Sequence, residues 1–317
     1  MRKTLVIRLA ASGVALAGLW TVWSQPQRQA LTMEKVTANL YVIVGNGGNV
    51  AVMPTSEGVL LVDDKFAQDA PDILAKVKSV SDKPVRYVLN THQHGDHTGG
   101  NEAFAGDGAT IVAHENVKKR LAAGTTNGLT GVKTPPAAPA ALPSKTYTGA
   151  FKIRLPGRVA DLKHIANAHT DGDTYVWFKT ANVLSSGDTF TNGRYPNIDF
   201  ANSGNIKGMI AATDALLKLA NARTKIVPGH GPLADRAALI EYRAMLMTAR
   251  ERMAKLVRDG KSEDDVLAAK PFADLDAKWA PTELAGRNFV RVVYHSLADK
   301  SDAPRPLLKR LFRRSDK

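Results

Sequence analysis

The chain contains no cysteine. That absence excludes a disulfide framework, a lipid-attachment cysteine and thiolate ligation, so any metal the protein binds must be held through nitrogen and oxygen. There is also no short internal repeat, and no basic stretch interleaved with aromatics. Lys and Arg outnumber Asp and Glu by 43 to 30, a formal charge of +13, but the excess is spread along the chain and is densest at its carboxyl end. Such a distribution describes a sticky surface and not a nucleic-acid site, so no nucleic-acid partner is expected. Glycines 45, 47 and 48 are followed by no Lys-Ser/Thr pair and no helix start. They read as a turn between strands, not as a phosphate loop.

What is present begins with an amino-terminal segment of distinctive layout. MRKTLVIR is positive, and Leu9 to Trp23 is uncharged. This is the pattern of a secretory signal peptide, so residues 1–24 are set aside from the fold and the protein is expected to be periplasmic or secreted. An uncleaved anchor giving weak membrane association is the other reading of the same segment. The remaining length, with 44% hydrophobic residues in the whole chain, is enough for one large core or two modest ones.

From Val36 to Asp63, β-branched residues alternate with turn signals in VTANLYVIV, GNGGN, VAVMP, TSEG and VLLVDD, which predicts an antiparallel meander. Ile73, Leu74, Val77 and Val80 recur at helical spacing within 66–81, and the apolar run VRYVLN follows. A helix leading into a buried strand is expected there. Residues 122–145 are rich in Gly, Pro and small side chains and have no periodicity, which predicts a long loop over one face. A second strand-rich stretch (FKIRLP, VADLKHI, TYVWFK, NVLSS) precedes a helix over 206–220, the strand TKIVP and a helix over 234–258. Two halves of strands followed by a helix suggest two packed sheets with helices outside.

The chemistry concentrates at strand ends. VRYVLN runs directly into His92, His94, Asp96 and His97, and three imidazoles and a carboxylate within six residues are costly unless a cation uses them. His169 precedes a predicted strand, while Asp188 and His230 each follow one. Five of the eight histidines are thereby accounted for. His114, His164 and His295 fit amphipathic strands or helices and read as structural. Arg194, Tyr195 and Asn197 directly follow Asp188 and are candidates to line a cleft.

The motifs HQHGDH, AHTDGD, SSGDTF and PGHG, with LLVDD before them, resemble the successive metal motifs of the metallo-β-lactamase superfamily, in the same order, from about Val36 to Met247. The resemblance implies an α/β four-layer αβ/βα sandwich over 31–250, followed by a helical carboxyl-terminal extension with a basic tail over 251–317. It implies two zinc ions, the first held by His92, His94 and His169, the second by Asp96, His97 and His230, with Asp188 bridging. Asp63 would brace the histidine loop without binding metal. The implied activity is hydrolysis of an amide, ester or related bond of a small molecule by a hydroxide shared between the ions, with Asp96 orienting it or shuttling a proton. β-Lactam opening is one such reaction, although the aspartate at 188 looks more like the glyoxalase II, lactonase and phosphodiesterase branches. Nuclease activity and metal binding without catalysis are the readings from other classes.

Overall fold

A computed structural model describes residues 30–297. The segment 1–24 expected to direct export and the basic run over 306–317 lie outside the described residues.

The first sheet is built from β1 (Thr32–Thr37), β2 (Leu40–Val44), β3 (Val50–Thr55), β4 (Gly58–Val62), β5 (Val85–Asn90) and β6 (Thr110–His114). A two-stranded ribbon, β7 (Thr125–Thr126) and β8 (Lys133–Thr134), follows outside it, and then β9 (Lys145–Tyr147) completes its edge in the order β1-β2-β3-β4-β5-β6-β9. The pairings through β4 are antiparallel, and those from β4 to β9 are parallel. The second sheet has the order β10 (Ala150–Leu155), β11 (Arg158–His164), β12 (Thr174–Phe178), β13 (Val183–Ser185) and β14 (Lys225–Val227), with only its last pairing parallel.

The expected meander is present, with one correction: VTANLYVIV is not a single strand. It turns at Ala38-Asn39, and Thr37 pairs with Leu40 across the hairpin. Asn supplies the turn there, and an apolar run on both sides of it conceals the reversal. Loop 122–145 is likewise not featureless, since it carries the β7–β8 ribbon and delivers β9 to the sheet.

Strand alternation creates the layers. In β4, Leu60 and Val62 point between the sheets, where they meet Leu162, Val176 and Phe178. Val59 and Leu61 point the other way, onto Ile73 and Val77 of α1 (Ala70–Lys78). Every residue of β4 is buried, as expected for a strand covered on both faces. Behind α1 in sequence come α2 (Gly95–Thr98), α3 (Asn101–Gly106) and α4 (Glu115–Ala123). The far face of the second sheet is covered by α5 (Ile206–Leu219) and α6 (Arg236–Arg258). Helix, sheet, sheet and helix layers thus stack as an α/β sandwich.

The boundary expected at 250 falls within α6. Beyond it, α7 (Glu263–Ala269), α8 (Ala273–Trp279) and α9 (Glu283–Leu297) bury Phe289, Val292 and Val293 in the same cluster as Met209, Tyr242 and Leu246. The carboxyl-terminal helices, as far as 297, therefore share the outer core of the second sheet. Among the described residues, no helix is long and apolar enough to cross a membrane.

Candidate metal centre and cleft

The chain leaves β5 at Asn90, whose side-chain amide pairs reciprocally with that of Asn101 at 2.9 and 3.0 Å. This fixes both ends of the short segment between them. His94 is extended (ψ 145°) and caps α2, whose single turn offsets Asp96 and His97 from His92 and His94. Asp188 follows β13 and His230 follows β14, two parallel neighbours, so both arrive at the same sheet end. His169 comes from the loop between β11 and β12.

All seven residues predicted from sequence are brought together. Three groups offer ligand atoms within 4.8 Å of one another: His92, His94 and His169; His92, His97 and Asp188; and Asp96, His97 and His230. His94 Nδ1 lies 2.9 Å from His169 Nε2. Asp188 lies 3.2 Å from His97 Nε2, 3.3 Å from His230 Nε2 and 3.7 Å from His169 Nε2. Its carboxylate therefore sits between the groups.

The ring nitrogens facing away are held. His97 Nδ1 donates to Asp63 Oδ2 at 2.8 Å, and Asp63 also accepts from the Thr91 N–H and hydroxyl at 2.7 and 2.8 Å. His169 Nδ1 donates to the Asn197 carbonyl at 2.8 Å, and His94 Nε2 to Asp199 Oδ2 at 2.9 Å. These contacts fix each imidazole's tautomer and aim. His92 Nδ1 is held by the Thr91 hydroxyl at 3.0 Å, and its other ring nitrogen, the fully buried Nε2, has no hydrogen-bond partner.

Two glycines permit the close packing. A Cβ on Gly48 would lie impossibly close to His97 Cε1, and one on Gly229 impossibly close to Asp188 Oδ1. The turn residues 45–48 thus do more than reverse the chain. Lys65, fully buried, donates from Nζ to the carbonyls of Asn46 and Gly48 at 3.1 and 2.6 Å and holds that turn down. Asn49 links the halves by donating to the carbonyls of Pro228 and Gly231.

The electrostatics follow from burial and opposite charge. Burial works against ionisation of Asp96, but His97 and His230 outweigh it and hold the carboxyl at about 2. Asp188 raises His230 to about 9 against the opposing effect of burial. Burial, helped by the neighbouring His94 and opposed by Asp188, pushes His169 down to about 4.

Of the histidines read as structural, none joins the three groups. His114 and His164 stack on each other at 3.7 Å, and His295 pairs with Glu263 at 2.8 Å. Arg194, Tyr195 and Asn197 all line a cavity beside the site, Tyr195 as a largely buried ring whose hydroxyl donates to Asp276. Sequence reasoning missed Asp199, Lys65 and Asn49. No spacing marks Asp199 in its polar loop, and Lys65 reads as an ordinary charged turn residue; only the packing reveals them.

The family model for the metallo-beta-lactamase superfamily matches residues 38–230. Curated relatives include the alpha subunit of a 2,4-dinitroanisole O-demethylase from Nocardioides sp. (strain JS1661), 25% identical over 53% of this chain and 49% of its own length. A type 2 metallo-beta-lactamase from Bacillus sp. (strain 170) is 22% identical over 61% of this chain and 70% of its own. The chain thus spans about half the length of the first of these. Among solved structures, a metallo-beta-lactamase from Pontibacter korlensis aligns with TM-score 0.57 at 20% identity, covering 68% of this chain and 99% of that one. A stereoselective inverting sec-alkylsulfatase from Pseudomonas sp. aligns with TM-score 0.60 at 17% identity, covering 83% and 50%. At such identities the structural likenesses speak for the fold, and the family match over most of the described strands speaks for descent. The chain belongs to the metallo-β-lactamase superfamily.

Proposed function

We propose that the protein is an exported zinc-dependent hydrolase of a small molecule. The observation that carries this reading is the trio of overlapping ligand groups with the Asp188 carboxylate between them. The donor set suits zinc, being imidazole and carboxylate without thiolate. His92 Nε2, buried and unpartnered, would otherwise carry the desolvation cost of an unmade bond. His92, His94 and His169 would hold one ion, Asp96, His97 and His230 a second, and Asp188 would touch both. Zinc in such a pair supplies Lewis acidity and a water that ionises near neutral pH.

The chain's own residues do the rest. Asp63, Asn197 and Asp199 fix the imidazoles, so the ligand geometry is set before substrate arrives. Asp96, part-exposed and kept ionised by His97 and His230, is positioned to accept a hydrogen bond and hold or pass a proton at its free oxygen. The relatives, named for an O-demethylase subunit, a β-lactamase and an alkylsulfatase, do not agree on a substrate. Export rests on the layout of residues 1–24.

The test is hydrolysis of a chromogenic cephalosporin, an aryl ester, a thioester and an alkyl sulfate by the purified protein, with zinc and with a chelator. Zinc-dependent turnover of at least one, lost in His94→Ala and Asp96→Asn while the far-ultraviolet spectrum is unchanged, is the expected result. Turnover that survives both substitutions would overturn the metal-dependent reading. Metal analysis should return two zinc ions per chain, and full activity with one would remove the bridging role of Asp188.

A further inference from the structure

A cavity opens directly beside His94 and Asp199, walled by the β7–β8 ribbon. It shares Asn127, Leu129, Asn197 and Val292 with a second cavity of about 370 Å³. The lining of the second is mixed, with Trp279, Phe289, Leu129 and Val292 supplying apolar surface and Arg194, Tyr195 and Asn288 supplying polar groups. Arg194 is its only charged lining residue, and its guanidinium has no hydrogen bond or ion pair among the described residues. Nearby, Arg252 pairs with Asp274, Arg291 with Glu263 and Arg120 with Asp171, while Arg287 of α9, which has no such partner among the described residues, does not line the cavity. The aromatic wall comes from α8 and α9, beyond residue 230 where the family match ends. Arg194 and Asn197, by contrast, lie inside the segment that the family model matches.

We infer that the pocket binds the non-reacting end of a small carboxylate-bearing molecule with an apolar body, the carboxylate on Arg194 and the body against Trp279 and Phe289. An unpaired planar guanidinium at the rim of an apolar wall gains two parallel charge-assisted hydrogen bonds from a carboxylate. A neutral molecule of the same shape would gain only the apolar contact. Asn197 ties the pocket to the metal centre, because its side lines the cavity while its carbonyl holds His169. Placing the scissile bond at the His94 end rests on the hydrolase reading. The carboxylate subsite itself does not.

The experiment is calorimetric titration of the purified, chelator-treated protein with 4-phenylbutyrate and with 4-phenylbutanol. Removing metal ensures that a preference for the acid reports Arg194 and not zinc. The acid is expected to bind about tenfold more tightly than the alcohol. Arg194→Gln should abolish that preference, and Arg194→Lys should keep part of it. Arg194 is exposed, so both variants retain the fold. Equal affinities, a preference that survives Arg194→Gln, or no binding of either compound at about 10 mM would overturn the inference. Zinc-dependent turnover is scored separately, so its absence beside an intact preference would overturn the hydrolase reading alone.

Discussion

The side chains that do most for the site need not touch the ligand. Asp63 accepts three hydrogen bonds, two from Thr91 and one from His97, and sits at φ 65°, where a residue with a Cβ is strained. Its retention in that conformation makes sense if the aim of His97 depends on it. Asp63→Asn keeps the shape but turns one acceptor into a donor facing existing donors. Zinc affinity, measured by chelator competition, should then fall about 10- to 100-fold, and an unchanged affinity would relegate Asp63 to ordinary packing. A second residue-scale expectation concerns protons. Asp188 holds His230 up at about 9, so a cation displaces a proton there. Zinc should bind more weakly at pH 6 than at pH 8, and calorimetry in buffers of differing ionisation enthalpy should register proton release; pH-independent affinity would contradict it.

At the scale of elements, the carboxyl-terminal helices are part of the fold's outer core. Phe289 is buried and stacks on Tyr195 at 4.0 Å, so Phe289→Ala should cost about 3–5 kcal/mol in urea unfolding. A cost below about 1 kcal/mol would mean that α9 rides loosely on the sheet. Much of this architecture was legible in the chain. The helix expected over 206–220 occupies Ile206–Leu219, because its apolar residues follow the helical period without interruption. The ligand residues announced themselves because histidine and aspartate directly after buried strands have few inexpensive explanations. What stayed hidden was relational. The Ala38-Asn39 turn hid inside an apolar run, and the brace from Asp199 to His94 joins residues 105 apart in sequence. Neither leaves a periodic trace, since the one depends on register and the other on how two sheets meet.

At the scale of the whole molecule, the sheets are joined outside the metal site as well as within it. His114 ends β6 and His164 ends β11, and the two rings stack at 3.7 Å and 8°. Burial, reinforced by His164, depresses His114 to about 4, and burial also lowers His164. Unfolded, both would take up protons near pH 6.5, so the folded state is favoured fully above that value and loses this advantage as pH falls toward 4. Thermal melts from pH 7 to pH 4 should show a steeper decline for the natural chain than for His164→Gln, and parallel curves would exclude the pair as a source of acid sensitivity. The cross-link made by Asn49 has a different consequence, one of timing. Its partners lie 179 and 182 residues further along the chain, and contacts of that span form late because the intervening loop must first be closed. A nascent chain therefore displays His92 to His97 well before Gly229 and His230 can close over them, and acquisition of a complete ligand set marks the end of folding, not its nucleus.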